Sequence, residues 1–315
     1  MSLYLPEITE ETDVPLPGLD RVYVVDPPSV LAINAALAAR RPLLVRGRPG
    51  CGKSQLARAA AALLDRAFIA FTVDALTEPR DLRWKTDDVA RLAAAQLAGA
   101  QRGEGGSLAE VALERFLSPG PLWWAFDWAS ADGRPPGECR PVKPAPDWDE
   151  AKGSVLLIDE IDKADLSVPN GLLEALGDRR FEVPVLGPVE MGAVPPLVII
   201  TTNEERALPD AFLRRCLVMH LALPREREAL VAHLLRRGGA HFPTCNRLVL
   251  LGAAELVADD HLAERSGEQL APGLAEYIDL LRVITEQRSE PKAQLDLLRR
   301  VKQFALSKHE AEPPR

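Results

Sequence analysis

Residues 42–54 read PLLVRGRPGCGKS. The short apolar strand Pro42–Arg46 runs into the loop Gly47-Arg48-Pro49-Gly50-Cys51-Gly52-Lys53-Ser54, and an alanine- and leucine-rich helix, Lys53–Asp65, follows. The loop satisfies GxxxxGK[ST], and strand, loop and helix stand in the order this motif requires. Its glycines allow a turn in which successive backbone N–H groups point inward at phosphate oxygens. The positive end of the helix dipole adds to that field. Lys53 offers a point charge for the β and γ phosphates, and Ser54, with Gln55 beside it, brings a hydroxyl suited to Mg2+. The expected ligands are therefore ATP and Mg2+.

Further strands read outward from this point. The continuous apolar run 67–73 fits a strand covered on both faces, as do 154–158 and 196–201, with 217–221 a further strand. Helical spacing marks 28–40, 86–100 and 167–176, and a short helix is expected over 108–117. Gly103–Gly106 and the Pro/Gly-rich stretch 132–147 read as loops. Phe181–Met191 alternates apolar and polar residues around Leu186-Gly187 like a hairpin. From Pro224 onward only helical patterns appear, at 224–236, 247–257, 272–287 and 291–307. The switch from alternating β and α to helices alone sets a domain boundary near 222. Residues 27–222 then form an α/β core, 223–315 a helical domain, and 1–26 an irregular lead-in.

Two further stretches carry chemistry. Val155-Leu156-Leu157-Ile158-Asp159-Glu160 is an apolar strand ending in paired carboxylates, and strand carboxyl ends line the ligand crevice of a parallel sheet. Asp159 can hold Mg2+, and Glu160 can polarise an attacking water. The strand Leu197-Val198-Ile199-Ile200-Thr201-Thr202 ends at Asn203, whose amide can orient that water.

Composition bounds the alternatives. The 315 residues are 47% hydrophobic and 27% charged, with a net charge of −8, so no overall basic surplus exists to neutralise nucleic-acid phosphates. None of the four cysteines forms a CxxC, and Cys51 lies inside the phosphate loop, which fits a reducing compartment. Cys51 reads as a small filler rather than a redox brake. The start, MSLYLPEITEETD, lacks a basic segment followed by an apolar one, and no apolar run spans a membrane. A cytoplasmic location is expected. His241, Cys245 and His261 lack the spacing of a metal site, and Trp123, Trp124 and Trp128 read as packing residues. Asp162 and Lys163 fit a contact with a neighbouring subunit and a solvated helix start equally well, and the run Arg80–Lys85 reads by default as a solvated loop, with a moving insert or a subunit interface as the alternatives.

Together these residues resemble the AAA+ ATPases. Gly47–Ser54 is similar to Walker A, Val155–Glu160 to Walker B with its catalytic glutamate, and Asn203 to sensor 1. Pro119-Gly120-Pro121-Leu122-Trp123 and Leu208-Pro209-Asp210-Ala211-Phe212-Leu213-Arg214-Arg215 resemble segments of the MoxR and dynein-related branch. The resemblance implies an αβα sandwich around a parallel sheet, followed by a small all-α lid. It also implies a homo-oligomeric ring, often hexameric, in which Arg215, or Arg214, acts as an arginine finger on the neighbour's nucleotide. Such proteins typically work beside a partner with a von Willebrand factor A domain and act as chaperone-like remodellers. In that family, hairpins like Phe181–Met191 move with nucleotide state. The lid departs from the family pattern: the helix expected near Ala271–Glu276 opens without an arginine, Arg265 is off register, and sensor 2 stays unassigned. The alternative is a nucleic-acid-linked NTPase, a loader or a McrB-like restriction subunit, although nucleic acid is disfavoured by the charge.

Overall fold

The computed structural model describes residues 3–16, 18–19, 21–100, 111–263 and 271–305. The expected loop at 103–106, part of the helix expected at 108–117, and Arg265 lie outside them. The chain divides into two compact units: one comprises Met1–Glu7, Pro27–Arg46 and Ala57–Met219, the other Ile8–Asp26, Gly47–Leu56 and His220–Arg315.

The first unit is built on a five-stranded sheet. Its strands are β3 (Leu43–Arg46), β4 (Ala67–Thr72), β7 (Ser154–Asp159), β10 (Leu197–Thr202) and β11 (Leu217–His220), in the order β11-β3-β10-β7-β4. β10 pairs in parallel with both β3 and β7, and β4 pairs in parallel with β7. The middle strands are buried throughout, which explains why they read as aliphatic runs without alternation. Leu44, Ile69, Leu156, Ile158, Val198 and Ile200 join one core with Leu122 and Trp123 of α4 (Pro121–Phe126) and with Val168 and Leu172 of α6 (Ser167–Asp178). Helix α1 (Pro27–Ala39) buries Val30, Ile33 and Ala36. The hairpin forms as β8 (Arg180–Val183) and β9 (Gly187–Glu190). The fold is thus α/β, a five-stranded sheet with helices packed on it, with a helical C-terminal region.

The second unit carries α8 (Arg227–His241), α9 (Arg247–Ala263), α10 (Leu274–Gln287) and α11 (Pro291–Ala305) around Leu230, Leu234, Val257, Leu281 and Ile284. Tyr277 is fully buried and donates to Leu250 O at 3.1 Å. A Cβ on Gly238 would lie 2.3 Å from the Tyr277 hydroxyl, so only glycine lets α8 approach this ring.

Three segments differ from their sequence reading. The lead-in is not irregular: β1 (Thr12–Pro15) pairs antiparallel with β2 (Val22–Val25), burying Val14, Val24 and Val25. Two of its acids are paired, Asp13 with Arg236 at 2.6 Å and Glu11 with Arg237 at 3.2 Å. Residues 111–119 form a short 3-10 turn, Leu113–Phe116, and the strand β6 (Leu117–Pro119) rather than a helix. β6 pairs with β5 (Trp84–Thr86), so Arg80–Lys85 is no plain solvated loop: Leu82 is fully buried there, and the helix read from 86 begins at Asp88 as α3 (Asp88–Ala100).

Burial pushes the His233 imidazole on α8 down to about 4, with the Arg237 charge adding to the effect. The folded protein therefore keeps His233 neutral down to that pH, whereas the unfolded chain takes up the proton near 6.5. Stability rises with pH across this window and is lost as pH falls from 6.5 toward 4, by roughly 3 kcal/mol at about 1.36 kcal/mol per unit. We expect His233→Gln to flatten this limb in urea melts between pH 6.5 and 4. An unchanged acid limb would rule His233 out as its source.

Candidate nucleotide site

The phosphate loop leaves the C-terminal end of β3, and α2 (Lys53–Leu64) begins at its lysine. Gly50 and Gly52 take φ of 76° and 98°, the left-handed region that glycine enters freely. Gly47 is required for another reason: a Cβ there would sit 2.2 Å from Leu221 O. Lys53, only 7% exposed, donates from Nζ to Gly47 O at 2.7 Å and Arg48 O at 2.9 Å. The ammonium is thus held over the loop's own carbonyls. That donor set of lysine, Ser54 and helix N-terminal amides fits a magnesium-bound polyphosphate.

Cys51 is buried, and burial pushes its thiol up against the lowering pull of Lys53. A thiol with so little thiolate character is unreactive. Where α10 opens, Ala275 stands against Gly50, 3.0 Å from the position of a Cβ there. Gly273 N donates to Glu276 Oε2 at 2.9 Å. The first turn of α10 therefore presents an alanine to the loop, not a basic side chain.

The carboxylates are organised by the adjoining strand. Because β7 lies beside β10 in parallel register, Asp159 and Glu160 leave the sheet next to Thr201, Thr202 and Asn203. Thr201 Oγ1 donates a short hydrogen bond to Asp159 Oδ1 and accepts from Glu160 N at 2.9 Å. Asn203 Nδ2 donates to Glu160 Oε1 at 3.3 Å. The other Glu160 oxygen is paired with Lys163 Nζ at 2.6 Å, and this bond raises the lysine's proton affinity. Glu160 itself adopts φ 59° and ψ 45°, a left-handed conformation that costs a non-glycine residue about 1–2 kcal/mol. The turn lifts the carboxylate off the strand toward the amide and the ammonium.

The structure thus brings Asp159, Glu160 and Asn203 together and adds two groups that the sequence reading left aside. Thr201 links the two acids, and the signal for it was a hydroxyl closing an otherwise aliphatic buried strand. Lys163 is the ion-pair partner of Glu160. Asp162 is also far from solvated: it is 2% exposed, and its Oδ2 accepts from Glu205 N at 2.9 Å. It ties the turn after β7 to the loop after β10.

Arg214 and Arg215 follow α7 (Asp210–Leu213) and are exposed. Neither is paired with a carboxylate among the described residues. Their backbone is fixed from beneath by one guanidinium, Arg41, which donates to Arg214 O and, at 3.1 Å each, to Arg215 O and Cys216 O. The turn's carbonyls are thus tied down while its two side chains stay exposed.

Residues 42–237 match the model of the AAA domain, dynein-related subfamily. The chain belongs to that family. This AAA domain is accordingly a P-loop, nucleotide-binding protein, and its family supports ATPase activity. Among solved structures, a Pro-to-Gly mutant of Thermotoga maritima RuvB is similar at 16% identity and a TM-score of 0.47, over 86% of this chain and 67% of that one. The Thermotoga maritima RuvB Holliday junction branch migration motor is similar at 16% identity and a TM-score of 0.45, over 87% and 67%. No curated protein matches the chain in sequence. No helix among the described residues of the AAA domain is long and apolar enough to cross a membrane.

Proposed function

We propose that this AAA domain is a Mg2+-dependent ATPase of the MoxR-like branch that works as a homo-oligomeric ring, hexameric, to remodel a partner protein. The observation that supports hydrolysis best is the poised carboxylate: Glu160 sits in a strained turn, hydrogen-bonded by Asn203 and ion-paired to Lys163. Arg40, Asp65, Arg179, Val185 and Glu204 also take positive φ, so the support comes from the partners of the Glu160 carboxylate and not from its backbone conformation.

In this reading Lys53 and the loop amides bind the β and γ phosphates, and Ser54 and Asp159 hold Mg2+. The ion, when bound, offsets the negative charge that develops between the β and γ phosphoryl groups. Glu160 takes the proton of the attacking water once its oxygen is released by Lys163. Asn203 keeps the carboxylate and the water aligned. Arg215, with Arg214 beside it, completes the site of the adjoining subunit. Residues 27–222 act as the ATPase core and 223–315 as its lid. The β8–β9 hairpin is the moving element offered to a client, and the companion is a protein with a von Willebrand factor A domain.

Phosphate release measured against protein concentration tests the ring. Turnover per subunit is expected to climb with concentration and to track the appearance of a ring-sized species in ATP and Mg2+. A monomer with constant turnover per subunit across that range would overturn it. Turnover that rises only with added DNA would favour the nucleic-acid-linked reading instead.

A further inference from the structure

At the other edge of the first unit's sheet, where β3 and β10 begin, lies a cavity of about 290 Å³ that opens to solvent. Three helices end beside it. Arg40 and Arg41 follow α1, Arg66 follows the end of α2, and Arg179 follows α6; all four arginines line the cavity, and no aspartate or glutamate among the described residues does. Each helix end contributes about half a negative charge. Three such ends offset fewer than two of the four guanidiniums, so a positive surplus remains.

Helix capping does not account for Arg66. It is 4% exposed, and desolvation lowers its proton affinity with no carboxylate raising it. A guanidinium carries five N–H donors, and among the described residues the hydrogen bond of this one is a long contact, 3.4 Å to Pro195 O. Arg41 is occupied by the three carbonyls of the 214–216 turn. Arg40, Arg66 and Arg179 have no acidic partner within salt-bridge distance among the described residues. Burying an unpaired cation is costly, and the cost is recovered when an anion forms a charge-assisted pair with it.

The rest of the wall is mainly apolar, with Leu37, Leu176, Met191, Val194 and the pair Pro195-Pro196, and Tyr4 adds one hydroxyl. The prolines have no N–H to offer, so hydrogen-bond donors are concentrated on the arginines. The volume is at the small end for ligand pockets, about 300 Å³ and upward, too tight for a nucleotide and suited to a carboxylate on a short branched group.

We propose that this cavity binds a carboxylate carried on a short apolar side chain, the chemistry of the C-terminal residue of a polypeptide. The carboxylate pairs with Arg66, flanked by Arg40 and Arg179, and the side chain lies on Met191 and the Pro195-Pro196 wall. The peptide continues out through the open mouth. This site shares no residue with the phosphate loop, and its test does not depend on ATP turnover.

Isothermal titration of the full chain without nucleotide tests it, with N-acetyl-leucine as the probe. Saturable one-to-one binding is expected, with N-acetyl-leucinamide at least tenfold weaker for want of the charge. Arg66→Gln should weaken binding at least tenfold. Arg179→Ser, an exposed change with no expected effect on folding, should weaken it several-fold with an unchanged melting temperature. Equal binding of acid and amide, or full binding to both variants, would overturn the carboxylate assignment. Tighter binding of inorganic phosphate would move the site to a phosphate class and overturn it as well. Equal binding of 4-methylpentanoate, which has the acid and side chain without the amide, would assign the site to free acids instead of polypeptide ends.

Discussion

Glu160→Gln is expected to lower ATP turnover by about 10²–10⁴-fold, the range for losing a positioned general base, while leaving nucleotide affinity nearly unchanged. The two effects separate because Glu160 leaves β7, whereas the proposed binding groups are Lys53, Ser54 and the loop amides. Glutamine keeps the length of the side chain and can still accept from Asn203 Nδ2, so the turn survives. What is lost is the pair with Lys163, an exposed, solvent-screened ion pair that contributes too little to unfold the domain. Steady-state phosphate release alongside titration of a fluorescent ATP analogue reads both quantities. Turnover within a factor of two of the parent would remove Glu160 from the catalytic role. Weakened binding with parental turnover would make it a ligand of the nucleotide instead.

The sheet was legible in the sequence because its middle strands are buried on both faces, so β7 and β10 had to be aliphatic runs. The phosphate loop was legible because its chemistry is contiguous: a backbone cradle, a lysine and a hydroxyl must follow one another on one turn. The β1–β2 hairpin was not. Its strands are four residues each and contain Pro15, and its acids are neutralised by Arg236 and Arg237, which lie more than two hundred residues further along the chain. The same non-locality hid the environment of Glu160. That Thr201 bridges Asp159 and Glu160 depends on the parallel register of β10 with β7, and register is a property of the folded sheet. Asp162 and Lys163 look like any charged pair opening a helix. Only the turn at Glu160 folds one back onto the glutamate while the other accepts from Glu205.

The largest expected loss comes from Arg215→Ala, where removing a trans arginine lowers turnover by about 10³–10⁵-fold. Its side chain is exposed and has no acidic partner among the described residues, so little folding stability is at stake. Arg41 holds the turn by its carbonyls and not by its side chains, so the backbone stays in place when Arg215 is shortened. Mixing distinguishes a trans role from a local one. In a ring, one site takes Glu160 from one subunit and Arg215 from the next. A random mixture of Glu160→Gln and Arg215→Ala subunits therefore contains intact pairs at about one interface in four, and turnover should recover toward that fraction although each variant alone is inactive. No recovery in mixed rings, with ring assembly verified by mass, would place the arginine's action within its own subunit or outside catalysis altogether. Arg214→Ala in the same assay separates the two arginines. If Arg214→Ala complements Glu160→Gln and Arg215→Ala keeps parental turnover, the finger is Arg214, and the turn above Arg41 presents the first of its two guanidiniums instead of the second.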